Sequence, residues 1–287
     1  MARFSLCELL PDVPMIEIVD VGAFAAAAPV YSRLMAAGRA RVTGFEPHEP
    51  ARLALAHRHG PPHRFLPHFV GDGEPAKFHE TNVPYTSSLY PPNPPVLAMF
   101  NDMSEETTLV RVHDVPTVRL DDAVALDDVD YLKIDIQGGE LDAFRGGETL
   151  LAAAVVVHTE VCFVELYRGQ PLFGDIDCHL RSRGFWFHTL LDVATRTMKP
   201  MRIVAPGAAP LSADQGVNQK LWADAVYVKA LSGLDALSTA KLHKFAVLLH
   251  DLYGSFDIAH GCLGAADARD GTEHAASYRG ALTAARA

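Results

Sequence analysis

Several things are scarce in this chain, and each scarcity removes a class of explanation. Cysteine occurs four times in 287 residues, at Cys7, Cys162, Cys178 and Cys262. No two of these share a metal-ligand or redox spacing, which argues against a zinc framework or disulfide scaffold and predicts reduced thiols. No window holds about eighteen consecutive apolar residues, the length a membrane span needs. The opening MARFSLCELLPDVP lacks an apolar signal core. The expectation is a cytoplasmic protein without a membrane partner. Basic residues are outnumbered, Lys+Arg 25 against Asp+Glu 35, for a net charge of −10. That surplus is spread along the chain rather than blocked, and it argues against nucleic acid or an anionic membrane surface as partner. A hydrophobic content of 49% is compatible with a well-formed core, and the length suits one large α/β domain with an appendage.

What is present is organised around VDYLKIDIQGGELDAFRGGETLL, Val129 to Leu151. Tyr131 to Ile136 reads as a buried strand with Lys133 and Asp135 set into it, as at a strand end that opens into a site. Gly138 and Gly139 make a turn, and Leu141, Phe144 and Leu151 then recur on one helical face. A charge inside a central strand is costly unless it is used. In an open parallel sheet, ligands bind beyond the carboxyl ends of the strands, so Asp135 and Gln137 should face a crevice.

The chain opens with strand IEIVDVG (Ile16 to Gly22), a helix over Ala23 to Ala37, strand RVTGFE (Arg41 to Glu46), and a helix over Pro47 to His59. Strand, glycine turn, helix, strand and acid suit a nucleotide-type cofactor, with Glu46 accepting from ribose hydroxyls. The glycine signature is thin: only Gly22 stands in DVGAFAAAAP, with Ala26 where a second glycine would be. A third strand over His63 to Val70 leads to Asp72, either an acceptor for an adenine amine or an ordinary turn residue. Lys77 to Asn82 reads as an extra strand and Thr86 to Pro95 as a stiff proline-rich loop. Thr108 to Leu120, which holds Pro116, reads as an edge strand or hairpin.

Ala153 to Val161 is the next buried strand, and His158 and Glu160, two apart, share a side. A helix over Leu172 to Arg183 and strands over Phe185 to Leu191 and Leu221 to Lys229 follow, with a long loop at Lys199 to Gln219. Leu234, Leu237, Leu242, Phe245, Leu248, Leu249 and Leu252 lie at helical spacing. That stripe could pack on the sheet or across a homo-oligomer. The expected division is a lead-in over 1–14, a main domain over 15–230, a helical extension over 231–263, and a mobile alanine-rich tail over 264–287.

Taken together, IVDVGA (Ile18 to Ala23), GFEP (Gly44 to Pro47), TSSL (Thr86 to Leu89), LKIDIQGGELDAFRGGETLL (Leu132 to Leu151), VCFVELYRGQPLF (Val161 to Phe173) and ADAVYVK (Ala223 to Lys229) resemble the FkbM-type family of S-adenosylmethionine-dependent methyltransferases. Lys133, Asp135, Gly138 and Glu140 carry the most specific part. The resemblance implies a class I methyltransferase-like, Rossmann-like α/β fold. Its mostly parallel seven-stranded sheet has helices on both faces, here followed by a C-terminal helical extension. It further implies O-methylation of a sugar, polysaccharide or polyketide-type hydroxyl. Asp20 and Gly22, with Ala23 beside them, would hold the methionine end of S-adenosylmethionine. Glu46 and Pro47 would take the ribose, Asp72 the adenine edge, and Asp135 would sit near the sulfonium. Ser87, Ser88, Lys133 and Gln137 are candidate contacts for a small-molecule or glycan acceptor. Phe24 and Ala26 depart from the family's asparagine and glycine, and Gln137 from its more usual glutamate.

An acceptor hydroxyl must lose a proton, and Asp135, Glu160 and His158 are the candidate catalytic groups. Asp135 and Glu160 could also hold Mg²⁺, as paired acids at adjacent strand ends. Two other readings stay open. One is a catalytically degenerate protein of this fold that acts as a binding or scaffold module; the other is a nicotinamide-dependent oxidoreductase.

Overall fold

Runs of branched apolar residues bounded by turns set the frame of the protein, a computed structural model describing residues 4–23, 28–123, 128–200 and 218–284. The strands are β1 (Ile16–Val21), β2 (Ala40–Phe45), β3 (Arg64–Leu66), β4 (Phe69–Val70), β5 (Ala76–Thr81), β6 (Leu109–Val115), β7 (Thr117–Val118), β8 (Tyr131–Ile134), β9 (Val156–Cys162), β10 (Phe185–Thr195) and β11 (Lys220–Lys229). Helices α1 (Ser32–Ala36), α2 (Glu49–His59), α3 (Pro94–Leu97), α4 (Met103–Glu106), α5 (Leu120–Ala123), α6 (Glu140–Arg145), α7 (Glu148–Ala153) and α8 (Phe173–Ser182) accompany them. Helices α9 (Thr239–Leu248), α10 (Phe256–Asp270) and α11 (His274–Ala284) close the chain.

Seven strands form one sheet in the order β10-β11-β9-β8-β1-β2-β3. β1 runs parallel to β2 and β8, β8 parallel to β9, and β2 parallel to β3. Only β11 is reversed, antiparallel to both β9 and β10. This is the class I methyltransferase arrangement that the resemblance implied. Successive side chains of a strand face opposite ways. Ile16, Ile18, Tyr131, Val156, Val226 and Val228 pack on one face against α9 and α10. Val19, Val21, Leu132, Ile134, Val157 and Val161 pack on the other against α6, α7 and α8.

The structure departs from the sequence reading in several places, each with a local cause. Of the helix expected over Ala23 to Ala37, the described residues show α1, Ser32–Ala36, and Phe24 and Ala26 lie outside them. Most of the Lys199 to Gln219 loop, 201–217, is also outside them. The strand expected over His63 to Val70 is two pieces, β3 on the main sheet and β4 paired with β7. Pro67 between them has no N–H to give a ladder. The helix after Gly139 is likewise two, α6 and α7, divided at Gly146 and Gly147. A Cβ on Gly146 would stand 2.5 Å from the Gly71 carbonyl oxygen, so the chain crosses there too closely for a side chain.

At the C-terminal end, helix covers most of what was expected to be a mobile tail. α10 runs to Asp270 and α11 to Ala284, with Tyr278 fully buried. The helix expected to end near Leu263 continues to Asp270 on small buried residues such as Ala259 and Ala266, and α11 follows it with Tyr278 as its buried residue. The leucine stripe packs on the chain's own sheet: Leu242, Phe245, Leu248 and Leu249 are wholly buried. Among the described residues, no helix is long and apolar enough to cross a membrane.

Candidate active site

The carboxyl ends of β1, β2, β8 and β9 meet at a cavity of about 980 Å³. Gly22, Glu46, Pro47, Ser87, Ser88, Lys133, Asp135, Gln137 and Glu160 all line it. A second cavity, about 280 Å³, is lined by Asp20, Gly22, Ala23, Lys133, Asp135 and His158. Gly22, Lys133 and Asp135 therefore border both.

Sheet register explains the clustering. Asp20 pairs with Lys133, and Lys133 with His158, so three polar residues lie abreast on one face of β1, β8 and β9. Lys133 Nζ sits 3.8 Å from Asp20 Oδ1 and 3.6 Å from Asp135 Oδ2. Burial opposes charge on that amine, but Asp20, Asp135, Asp224 and Glu160 outweigh it and raise its pKa. The Tyr31 hydroxyl donates to Asp20 Oδ2, while Oδ1 is buried with no hydrogen-bond partner. A buried oxygen left in that state calls for a donor, which a ligand can bring.

Three carboxyls here are pushed above the ordinary range. Burial raises Glu46, with the hydrogen bond from His48 N (2.7 Å) pulling the other way. Burial also drives Glu160 well up, reinforced by Asp135, Glu140 and Asp224 and opposed by Lys133. Glu140 is buried and pushed to about 7, although backbone N–H groups hold it down. Its Oε1 accepts from Ile136 N at 3.0 Å and Gly138 N at 3.1 Å, which shapes the turn after β8.

A glutamate raised by burial costs stability once it ionises. Its contribution is whole below the unfolded value near 4.5 and is lost as pH rises through about 7. Glu140→Gln keeps an acceptor for both N–H groups and cannot ionise. We expect wild type to lose about 2–3 kcal/mol relative to this variant between pH 5 and pH 8. Parallel denaturation curves at the two pH values read that difference directly; equal slopes with pH would refute it.

Of the expected site residues, Asp20, Ala23 and His158 line only the smaller cavity, and Asp72 lines neither. His158 is buried and absent from the larger cavity; its Nδ1 lies 3.1 Å from the Tyr253 hydroxyl and its Nε2 3.1 Å from Asp224 Oδ2. Asp72 is exposed, lines neither cavity, and accepts from Glu74 N at 3.0 Å as a turn residue does. Ser88 is buried and donates to the Gln137 carbonyl at 2.6 Å, and Ser87 Oγ accepts from Thr81 N at 3.1 Å, so both hydroxyls brace the loop. Sequence reasoning did not single out Tyr31, Tyr167, Trp222 or Tyr253. Tyr167 and Trp222 line the large cavity. Tyr253 reaches the site from 95 residues beyond His158, and no local pattern marks it.

Among the described residues, no group of three or more His, Cys, Asp or Glu side chains is set to hold a metal ion. Among solved structures, the chain is similar to a putative RNA methyltransferase from Pyrococcus horikoshii, at 12% identity and TM-score 0.35 over 78% of each chain. It is also similar to a putative methyltransferase from Thermoplasma acidophilum, at 13% identity and TM-score 0.36 over 80% of this chain and 76% of that one. No curated protein sequence matches it. The methyltransferase FkbM domain matches residues 20–187, from the end of β1 to the start of β10. The match takes in the strand ends that carry Asp20, Glu46, Asp135 and Glu160, and the chain belongs to the FkbM methyltransferase family.

Proposed function

We propose that this protein transfers a methyl group from S-adenosylmethionine to a hydroxyl of a sugar, polysaccharide or polyketide-type natural product. The observation that carries this reading is the convergence of Gly22, Glu46, Lys133, Asp135 and Glu160 on one cavity at the strand ends. Its volume of about 980 Å³ has room for a nucleoside cofactor with an acceptor beside it. Asp20 Oδ1, which accepts no hydrogen bond, fits the ammonium end of the cofactor, and the buried Glu46 fits paired ribose hydroxyls.

The cofactor, when bound, supplies a methyl group already activated on a sulfonium, so the chain's own work is alignment, exclusion of water and removal of one proton. Asp135 would lend negative charge to the positively charged donor, with Lys133 Nζ 3.6 Å from its Oδ2. Glu160 takes the proton from the acceptor hydroxyl onto its carboxylate. A glutamate whose pKa is raised is a stronger base once ionised. Tyr167 and Trp222, which line the same cavity, give the acceptor aromatic walls.

Calorimetry with S-adenosylhomocysteine tests the reading. We expect one binding site in wild type and affinity weaker by about 30–100-fold in Glu46→Ala, the loss of two hydrogen bonds to a charged group. A folded wild type that binds neither cofactor nor product would remove the proposal.

A further inference from the structure

Between Asp135 and Glu160 lies the side-chain amide of Gln137. Its Nε2 donates to Asp135 Oδ1 at 3.1 Å and to Glu160 Oε2 at 2.9 Å. A carboxamide nitrogen carries two hydrogens, so both bonds form at once and its donor capacity is filled. The amide oxygen faces the Tyr167 hydroxyl at 3.2 Å. Turned over, the amide would set its oxygen against two carboxylates, so its surroundings dictate its orientation.

The backbone beneath is held as firmly. Gln137 has φ of 58°, in the left-handed region that residues with a Cβ seldom enter. Glu140 bonds Ile136 N and Gly138 N on either side of it, and Ser88 Oγ bonds its carbonyl at 2.6 Å. Strain retained under so many restraints marks a position whose geometry matters.

Two carboxylates brought together from neighbouring strands need a proton, a cation or a donor between them. Here the donor is neutral and covalently part of the chain. We propose that the Gln137 carboxamide does the work of a bridging cation. It clasps Asp135 and Glu160 into a fixed pair at the cavity wall and so frees that pair from dependence on a divalent metal. Gln137 is then a positioning residue rather than the acceptor contact expected from the sequence. Its place in catalysis rests on the methyl-transfer reading above; the clasp itself does not.

The charge count makes this testable without an acceptor. Gln137→Glu removes both N–H donors and brings a third carboxylate to the same point, the all-oxygen set that hard divalent cations take. The probe is Mn²⁺ alone, titrated into the full chain and followed by the paramagnetic resonance of the free ion. We expect no saturable binding by wild type below about 1 mM, and one Mn²⁺ bound by Gln137→Glu at least tenfold more tightly than that. Adding Glu160→Gln to that variant should abolish the site. One-to-one binding by wild type that Asp135→Asn removes would overturn the proposal, because the metal and not the amide would then join the pair. A folded Gln137→Glu that binds no Mn²⁺ would overturn it too, by showing that the carboxylates do not converge. Calorimetry of wild type with S-adenosylhomocysteine runs beside it, and a null result there removes the methyl-transfer reading while leaving the clasp standing.

Discussion

Gly22→Ala should cost the protein about 4 kcal/mol of folding stability and loosen the cofactor end of the cleft. Two effects add. Gly22 has φ of +79°, where a Cβ is strained by about 1–2 kcal/mol whatever surrounds it. That Cβ would also stand 2.0 Å from the Asp135 carbonyl oxygen and 3.0 Å from its carbon. Both atoms are backbone, so no rotamer relieves the collision, and β1 and β8 must part where Asp135 N donates to the Val21 carbonyl at 3.0 Å. The sequence suggested that glycine here admits a ligand; the structure gives it a second task, admitting the neighbouring strand. Urea unfolding at constant slope reads the loss, and a change under about 1 kcal/mol would refute the argument.

Asp130→Ala is expected to have an effect of similar size from the opposite end of β8. Asp130 is fully buried and receives Lys241 Nζ at 2.6 Å, Lys244 Nζ at 2.9 Å and Glu17 N at 2.8 Å. Lys244 is itself buried. Removing the carboxylate leaves that ammonium with only the half-exposed Asp128 at 3.1 Å and strands a backbone N–H. Breaking a buried pair from one side costs about 3–5 kcal/mol. Both lysines belong to α9, so the clasp fastens the C-terminal helices to the sheet. Those helices deliver Tyr253, whose hydroxyl lies 2.9 Å from that of Tyr131 and 3.1 Å from His158 Nδ1 behind the cleft. Thermal unfolding should drop by about 10 °C. Lys244→Met, which removes the charge along with its partner's need, should restore part of the loss in the double variant; no restoration would count against the buried charge as the cause.

The alternation of apolar strands and helical segments made an open parallel α/β sheet legible, since a parallel sheet buried on both faces writes its strands as apolar runs; its seven strands were implied by the family resemblance. Acids at the ends of those runs marked Asp20, Glu46, Asp135 and Glu160, because a charge in such a run needs a function. Breaks were harder to read. Pro67, Gly146 and Gly147 sit inside patterns that periodicity alone continues, and it is the crossing of another backbone, Gly71 against Gly146, that ends the helix. α11 was hidden for a different reason: its burial depends on one tyrosine, Tyr278, against His250, at 2.8 Å between hydroxyl and Nδ1.

Residue pattern by itself determined the kind of sheet and which strand ends carry charge, since both follow from side-chain period and the cost of burying an ion. What each of those charges touches was decided only by the tertiary structure. His158 and Glu160 are two residues apart on one face of β9, yet one is enclosed by Tyr253 and Asp224 while the other opens on the cavity. Ser88 and Gln137 line the cavity and also bond within the chain, Ser88 to the Gln137 carbonyl and Gln137 to Asp135 and Glu160. The reason is one of distance along the chain. Apart from Asp135, two residues from Gln137, these partners come from elements 23 to 95 residues away, and a hydrogen bond depends on ångströms between atoms, about which spacing in sequence says nothing.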